Sequence, residues 1–179
     1  MRRAFLLLLA CGCASSGTRG GDTTPKQPTI FVDPQAGTIM GERPRGEAAT
    51  IAAPPAVVWG AAKKVYAALG IPVTVENPAA HQLGNANFYA SRQLAGQPMT
   101  KFVDCGNGMT GQKAATYRIY MSLLTDVIPD GKGGTKLQTT FVPMGQDVAG
   151  GSTDRIPCGT TGRLEQLLLD QVAATVGKP

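Results

Sequence analysis

Residues 54–76 read PPAVVWGAAKKVYAALGIPVTVE, and they contain two hydrophobic periods in succession. The apolar residues of the first part recur at helical spacing and include two aromatic ones: Val58, Trp59, Ala62, Val65, Tyr66 and Leu69. Pro55 suits the first turn of a helix, and Gly70 suits the left-handed position just after its end. From residue 71 the period is two, which is typical of a strand. The stretch therefore predicts a helix followed directly by a half-buried strand over residues 71–76.

The rest of the chain predicts one more helix and an antiparallel sheet. Alternating or β-branched runs favour strands at residues 48–52, 82–94, 100–103, 117–127 and 135–142. Turn signals at 129–134 join the last two strands into a hairpin, residues 143–159 favour a loop, and residues 161–176 predict a helix. Each helix has one apolar stripe and the strands alternate. We therefore expect an α+β domain in which about four to six antiparallel strands carry two helices packed on one face.

The N-terminus resembles the signal sequence of a bacterial lipoprotein. Two arginines precede an apolar run that is too short to span a bilayer but suits the core of a signal peptide. Residues 8–11, LLAC, are similar to the lipobox, whose cysteine receives the lipid and becomes the first residue of the mature protein. The resemblance implies that residues 1–10 are a signal peptide and that Cys11 is lipidated, with Cys13 as a second, poorer frame. An ordinary cleaved signal with two incidental cysteines is the alternative.

The lipoprotein resemblance also implies a location. A lipidated Cys11, carrying acyl groups such as palmitate, would anchor the chain in a membrane of the bacterial cell envelope. Gly12 follows this cysteine, where enterobacterial lipoproteins retained in the inner membrane carry an acidic residue. In a host that follows this rule, the resemblance implies an outer-membrane protein that faces the periplasm.

Residues 11–46 differ in composition from the rest of the chain. They are rich in Ser, Thr, Gly, Pro and charged residues, with two apolar islands at 30–32 and 39–40. This composition favours a flexible tether between the lipid and a single α+β domain at residues 47–179. Alternatively, one of the islands binds a partner or adds a strand.

The charge of the chain argues against nucleic-acid binding. The full chain has 17 basic and 12 acidic residues, a net charge of +5. Cleavage of the signal peptide would remove Arg2 and Arg3 and lower the net charge to +3. The remaining basic residues are scattered rather than arranged in a stripe with aromatic residues, so we expect no nucleic-acid partner.

Two glycine patterns have different interpretations. Gly84, inside the predicted strand 82–94, indicates a bulge or a close backbone approach. Residues 106–111, GNGMTG, match G-x-G-x-x-G, but a dinucleotide site needs this loop to open a helix within a βαβ unit. A strand is predicted here instead, so we interpret residues 106–111 as a loop that holds no cofactor.

The polar residues give no catalytic or metal-binding pattern. His81 is the only histidine, and without Cys, Asp or Glu residues at ligand spacing it predicts neither a zinc site nor a catalytic triad. Asp126 and Asp130 flank a turn, where no feature would desolvate them as an acid–base pair requires. We therefore expect a protein that is not an enzyme, with no catalytic residues, no metal and no cofactor.

Cys105 and Cys158 are the two cysteines outside the N-terminal signal. Each lies in a Gly-rich loop, and export to a Gram-negative periplasm would place both in an oxidising compartment. Metal binding would need more ligands nearby, and a reactive thiol would need a base or a second cysteine in a CxxC motif. We therefore predict a structural disulfide between Cys105 and Cys158.

Residues 51–75 resemble the opening of two helix-grip families through an apolar strand followed by Pro-Pro, Val-Trp and Leu-Gly-Ile-Pro-Val. One is BamC, a lipoprotein of the outer-membrane β-barrel assembly machinery, and the other is the START-like ligand-binding superfamily. The resemblance implies a helix-grip fold, although BamC has two such domains and lacks this cysteine pair. No functional residue of either family can be carried over to this chain.

Two functional hypotheses follow. The first is a membrane-anchored envelope lipoprotein with a non-enzymatic interaction domain and an envelope protein as its partner. The second is a module that binds an apolar small molecule or lipid between the sheet and the last helix. Five large side chains are candidates for lining such a ligand site or for building the core: Trp59, Tyr66, Phe88, Phe141 and Leu168.

Overall fold

The chain divides into two units, Met1–Glu42 and Arg43–Pro179. The predicted signal peptide and both candidate lipidation sites, Cys11 and Cys13, lie outside the described residues. The computed structural model describes three parts of the chain: residues 29–33, 37–41 and 48–177.

Two strands are described in the first unit. Thr29–Asp33 and Gly37–Gly41 pair antiparallel, with Phe31 opposite Ile39. Both apolar islands of the predicted tether lie in these strands, so each island has the other as its strand partner.

Within residues 48–177, the second unit has two helices and a sheet of six strands, all paired antiparallel, which confirms the predicted α+β class. In chain order the elements are β1 Ala48–Ile51, α1 Pro55–Ala68, β2 Val75–Asn77, β3 Gln82–Ser91, β4 Arg118–Pro129, β5 Thr135–Gln146, β6 Arg155–Pro157 and α2 Arg163–Val176. The strand order is β6-β5-β4-β3-β2. The edge of β5 that faces away from β4 pairs with β1 at its first residues and with β6 at its last residues.

Helix α1 ends where its sequence predicts. Gly70 has a φ of 71°, and its N–H donates to the carbonyl of Ala67 at 3.0 Å. The N–H of Ile71 donates to the carbonyl of Tyr66 at 2.9 Å. These two bonds satisfy carbonyls of the last turn in a Schellman arrangement, which requires the left-handed conformation that glycine adopts without cost.

Both helices cover the same face of the sheet and share one hydrophobic core with it. The odd-numbered side chains of β4 are buried up to residue 127, whereas its even-numbered ones are half-exposed up to residue 126. The sheet therefore has one covered face, called here the inner face, and one open face, called the outer face. The buried residues of β4 and the helices are Ile119, Met121, Leu123, Thr125, Val127, Val58, Ala61, Ala62, Val65, Tyr66, Leu164, Leu168, Leu169 and Val172.

The loop predicted at residues 143–159 is wrong at both ends. Strand β5 continues through Pro143 to Gln146, and β6 forms within the same stretch. The carbonyl of Pro143 accepts a hydrogen bond from the N–H of Cys158 at 3.2 Å, so the nitrogen of this proline also points away from β4. Since no strand pairs with β5 at that point on this edge, the missing N–H of proline removes no ladder bond.

The predicted strand over residues 71–76 is too long at its start, because β2 begins only at Val75. The preceding backbone is satisfied outside the ladder. The side-chain amide of Asn85 donates to the carbonyl of Pro72 at 2.7 Å, and the N–H of Thr74 donates to the carbonyl of Gly84 at 2.9 Å.

Short elements fill the excursion between β3 and β4. The strand predicted at 100–103 is wrong over most of its length, because residues 99–101 form a 3₁₀ turn. Met99 and Phe102 are three residues apart and both fully buried, which suits the three-residue period of such a turn. The predicted strand 82–94 divides at Arg92, whose φ is 66°. The short elements are the 3₁₀ turns Met99–Lys101 and Lys113–Ala115, and the strand pairs Gln93–Leu94 with Gln97–Pro98, Asn107–Gly108 with Gly111–Gln112, and Val103–Asp104 with Gly159–Thr160.

Candidate functional site

The five residues predicted as a core or ligand cluster all pack into the hydrophobic core. Tyr66, Phe141 and Leu168 are fully buried, and Trp59 and Phe88 pack against the core from partly buried positions. None of the five lines the groove of about 290 Å³ between α2 and residues 97–102, or the groove of about 320 Å³ between the two helices. Their position in the structure is that of core residues.

Tyr66 connects α1 to the middle of the sheet through its hydroxyl group. This group donates to the carbonyl of Leu123 at 3.2 Å and lies 2.9 Å from the hydroxyl of Thr125. Thr125 in turn lies 3.1 Å from the hydroxyl of Thr139. Burial raises the pKa of Tyr66 well above its ordinary value of 10.0, against a smaller opposing effect of the Thr125 bond. The group is a neutral structural hydrogen-bond donor rather than an acid or base.

Cys105 and Cys158 form the predicted disulfide, with their Cα atoms 4.4 Å apart. The bond lies next to the short strand pair that leads into α2. It also packs on the backbone of β5, where a Cβ atom at Gly145 would lie 3.0 Å and 3.1 Å from the two sulfur atoms. Both cysteines therefore have a structural role at the start of α2.

The other polar candidates also have structural positions. His81 is exposed, and its carbonyl accepts the N–H of Val127 at 2.7 Å. Asp130 closes the turn between β4 and β5 by accepting the N–H groups of Lys132 and Gly134 at 2.7 and 2.8 Å. Residues 106–111 form a tight hairpin followed by a 3₁₀ turn and then β4, so no helix N-terminus is present to hold a pyrophosphate.

Glu165 is a buried acidic residue in the first turn of α2 that the sequence did not reveal. It is 1% exposed, and its Oε1 atom accepts the hydroxyl of Thr160 at 2.7 Å. Its Oε2 atom has no partner among the described protein atoms. A carboxylate at a helix N-terminus is favoured by the helix dipole.

The outer face of the sheet carries a cluster of tyrosine and arginine residues, which we call the Tyr–Arg cluster. It consists of Tyr89 on β3, Arg118 and Tyr120 on β4, and Arg155 on β6. The strand register places Ser91, Arg118, Gln146 and Arg155 in one row across the sheet, and Tyr89, Tyr120, Met144 and Pro157 in the next row.

The four side chains of the Tyr–Arg cluster form a continuous stack. The guanidinium carbon of Arg155 lies 3.5 Å from the ring centroid of Tyr120, and that of Arg118 lies 5.3 Å from the centroid of Tyr89. The two tyrosine rings have centroids 5.8 Å apart and are tilted by 46°. Each cation is therefore held over an aromatic ring at a distance where cation–π attraction is effective.

The positive charges of the cluster act on Tyr120. Hydrogen bonding to Arg118 favours the phenolate and is the main cause that lowers the pKa of Tyr120, with Arg155 acting in the same direction. In the neutral form its hydroxyl donates to the side-chain oxygen of Gln146 at 2.9 Å. The arrangement as a whole favours negative charge at this end of the outer face.

The sequence contained only part of the signal for this cluster. Arg118 and Tyr120 alternate with the apolar residues of β4, so their position on the outer face follows from the period of two. Tyr89 joins them only because a bulge shifts the register of β3 between Met121 and Leu123. Arg155 joins them through β6, which lies in the stretch predicted as a loop.

Comparison of the chain with protein families and with curated proteins identifies no relative. No protein-family model matches the chain, and no curated protein matches it either.

Within the part of the chain that the structure describes, no helix is long and apolar enough to cross a membrane. In the same residues, no three His, Cys, Asp or Glu side chains are grouped so that they could hold a metal ion.

Proposed function

We propose that this chain is a lipid-anchored protein of the bacterial cell envelope whose α+β domain binds another envelope protein through the outer face of its sheet. The lipobox-like residues 8–11 support the anchor, with Cys11 as the lipidated residue and the periplasmic side of the outer membrane as its location. The resemblance of residues 51–75 to BamC supports a helix-grip domain of an accessory type. Within residues 48–177, no group of His, Cys, Asp or Glu side chains that could hold a metal ion supports an enzymatic function.

The Tyr–Arg cluster is the single observation that carries the interaction surface. An antiparallel sheet tolerates one solvated face, but that face is then usually lined by scattered polar residues. Here two tyrosines and two arginines, the residue types enriched at the centres of protein interfaces, lie together in two adjacent rows. Tyr89 is 65% exposed, which is unusual for a large aromatic side chain.

The alternative function, binding of an apolar small molecule, has weaker support. The residues named for it lie in the core or pack against it, and the described grooves are open to solvent and lined partly by charged or amide side chains. A ligand module of this kind would instead enclose most of its ligand.

The lipid anchor gives the first test. We expect radiolabelled palmitate to be incorporated into the wild-type protein and to be lost in Cys11→Ala. Cys13→Ala should retain the label, because residue 8 provides the better leucine three positions before the cysteine. If the label is lost only in the Cys11→Ala/Cys13→Ala double variant, Cys13 accepts the lipid in the second frame when Cys11 is absent. Labelling that survives in the double variant would contradict the lipoprotein assignment.

The interaction surface is tested by photo-crosslinking in cells. We expect benzoylphenylalanine in place of Tyr89 to give a discrete adduct with another envelope protein, because this side chain is the most exposed part of the Tyr–Arg cluster. The same substitution at Ala67, which is exposed on α1, serves as the matched control and should give none. An adduct of equal yield at both positions, or none at residue 89, would contradict an outer-face interface.

A further inference from the structure

We infer that the Tyr–Arg cluster is a carboxylate-binding site, and that the partner presents an acidic polypeptide segment whose side chains pair with Arg118 and Arg155. This inference rests on the proposed function and adds the chemistry of the partner to it. It is carried by the geometry of the two guanidinium groups and by the absence of acidic residues from the two rows of strand residues that hold them.

The two guanidinium groups have no acidic partner within residues 48–177. Neither makes an ion pair there, where the ion pair found joins Lys63 to Glu76. Apart from their interaction with the hydroxyl of Tyr120, neither donates a side-chain hydrogen bond to a described residue, although each carries five N–H donors. A half-buried guanidinium usually meets an acceptor, so both groups can still bind one.

Stacking on tyrosine prepares these arginines for a carboxylate. The ring holds the flat face of the guanidinium, while its edge, which carries the N–H groups, is the part that binds a carboxylate in a bidentate manner. Because Arg155 is already held 3.5 Å from the ring of Tyr120, much of its side-chain entropy is lost before any partner binds. Binding through a preorganised side chain costs less than binding through a free one.

The charge around the cluster favours an anion. The two rows across β3, β4, β5 and β6 contain two arginines and no acidic residue. The acidic residue on the outer face of β4, Asp126, lies four rows further along the strand from Arg118 and accepts a hydrogen bond from Gln82. Asp147 and Asp154, in the connection between β5 and β6, form no ion pair with either arginine. An acidic partner would therefore meet two arginines that have no ion-pair partner within residues 48–177.

A polypeptide fits this site better than an acidic sugar does. Recognition of a sugar ring would use an open aromatic face, but Arg155 covers a face of Tyr120 and Arg118 lies over Tyr89. Besides the exposed ring of Tyr89, the accessible surface consists of guanidinium edges on a sheet, with the amide of Gln146 between the two arginines in the same row. These groups match the carboxylates of Asp and Glu side chains.

The test uses the full chain in nonionic detergent and three defined probes: hexaglutamate, hexaglutamine and hexagalacturonate. Titration is followed by NMR signals of the arginine Nε–H groups and the tyrosine rings. We expect hexaglutamate to bind with a dissociation constant of about 1 mM or tighter and to shift the signals of the Tyr–Arg cluster. Hexaglutamine should give no shifts, and added salt should weaken binding because partly exposed ion pairs are screened.

Charge-removing variants identify the groups that bind. Arg118→Gln and Arg155→Gln should each weaken hexaglutamate binding by about three- to tenfold, and Arg155→Lys should recover only part of the loss. Lys64→Gln, which removes one exposed positive charge from α1, is the matched control and should change binding little. Circular dichroism of each variant verifies that the fold is retained.

Three outcomes would overturn the inference. The first is that hexaglutamate does not bind, and the second is that Lys64→Gln weakens its binding as much as the arginine variants do. The third is tighter binding of hexagalacturonate than of hexaglutamate, which would point to an anionic glycan. The crosslink at residue 89 separates this failure from that of the proposed function. If the crosslink persists and the arginine variants leave it unchanged, the interface stands and the carboxylate chemistry is wrong.

Discussion

Gly84→Ala is expected to lower the free energy of unfolding by about 3–5 kcal/mol. Gly84 has a φ of 147°, a conformation that side chains rarely adopt. A Cβ atom there would lie 2.2 Å from the carbonyl oxygen of Leu123 and 3.0 Å from both the Cα atom of Leu124 and the hydroxyl of Tyr66. The first two atoms belong to the backbone of the central strand β4, so they cannot withdraw without breaking the ladder.

Gly60→Ala is the matched control for this prediction. Gly60 lies within α1, and a Cβ atom there meets no atom within 4 Å. The same added methyl group should therefore raise the free energy of unfolding by about 0.5–1 kcal/mol, because alanine loses less backbone entropy in a helix. Urea denaturation followed by circular dichroism measures both variants. A Gly84→Ala protein within 1 kcal/mol of wild type would contradict the close approach of β3 and β4.

The features predicted correctly from the sequence are those that depend on nearby residues. The end of α1 follows from Gly70. A glycine inside a predicted strand indicated a bulge or a close backbone approach at Gly84, and the structure has the close approach there. The burial of alternate residues of β4 follows from the period of two. Each of these depends on local backbone preference or on one apolar face, so the signal lies within a few residues.

The features that the sequence did not reveal depend on pairing between distant strands. Pro143 and the Gly-rich residues after it carry loop signals, but Pro143 lies at an edge position of β5 where no N–H is needed. β6 exists because it pairs with the last residues of β5, which its own three residues do not indicate.

The Tyr–Arg cluster required the same long-range information. Its members come from three strands that are separated in the chain by the excursion after β3 and by the loop before β6. Their rows depend on a bulge in β3, and shifting the register by one residue would move Tyr89 to the inner face. A candidate site of this kind therefore becomes visible only once the strand register is known.

Loss of the disulfide should have the second large effect on stability. Cys105 and Cys158 are separated by 53 positions in the chain, and cross-linking a loop of this length removes conformational entropy from the unfolded chain worth about 4 kcal/mol. Measured values usually fall below this figure, so we expect a loss of about 2–4 kcal/mol from the roughly 5–15 kcal/mol that stabilises a typical domain.

The stability should fall without loss of the fold at low temperature. The stripe of α2, including Leu164 and Leu168, is fully buried in the shared core and does not depend on the sulfur atoms. Reduction of the wild-type protein and the double variant Cys105→Ala/Cys158→Ala should therefore lower the melting temperature to a similar extent and leave the far-ultraviolet circular dichroism at 10 °C unchanged. Cys158→Ser should do the same but leave one free thiol. Equal melting temperatures for the oxidised and reduced protein would show that the bond does not stabilise this domain. Two titratable thiols in the oxidised folded protein would show that the bond does not form.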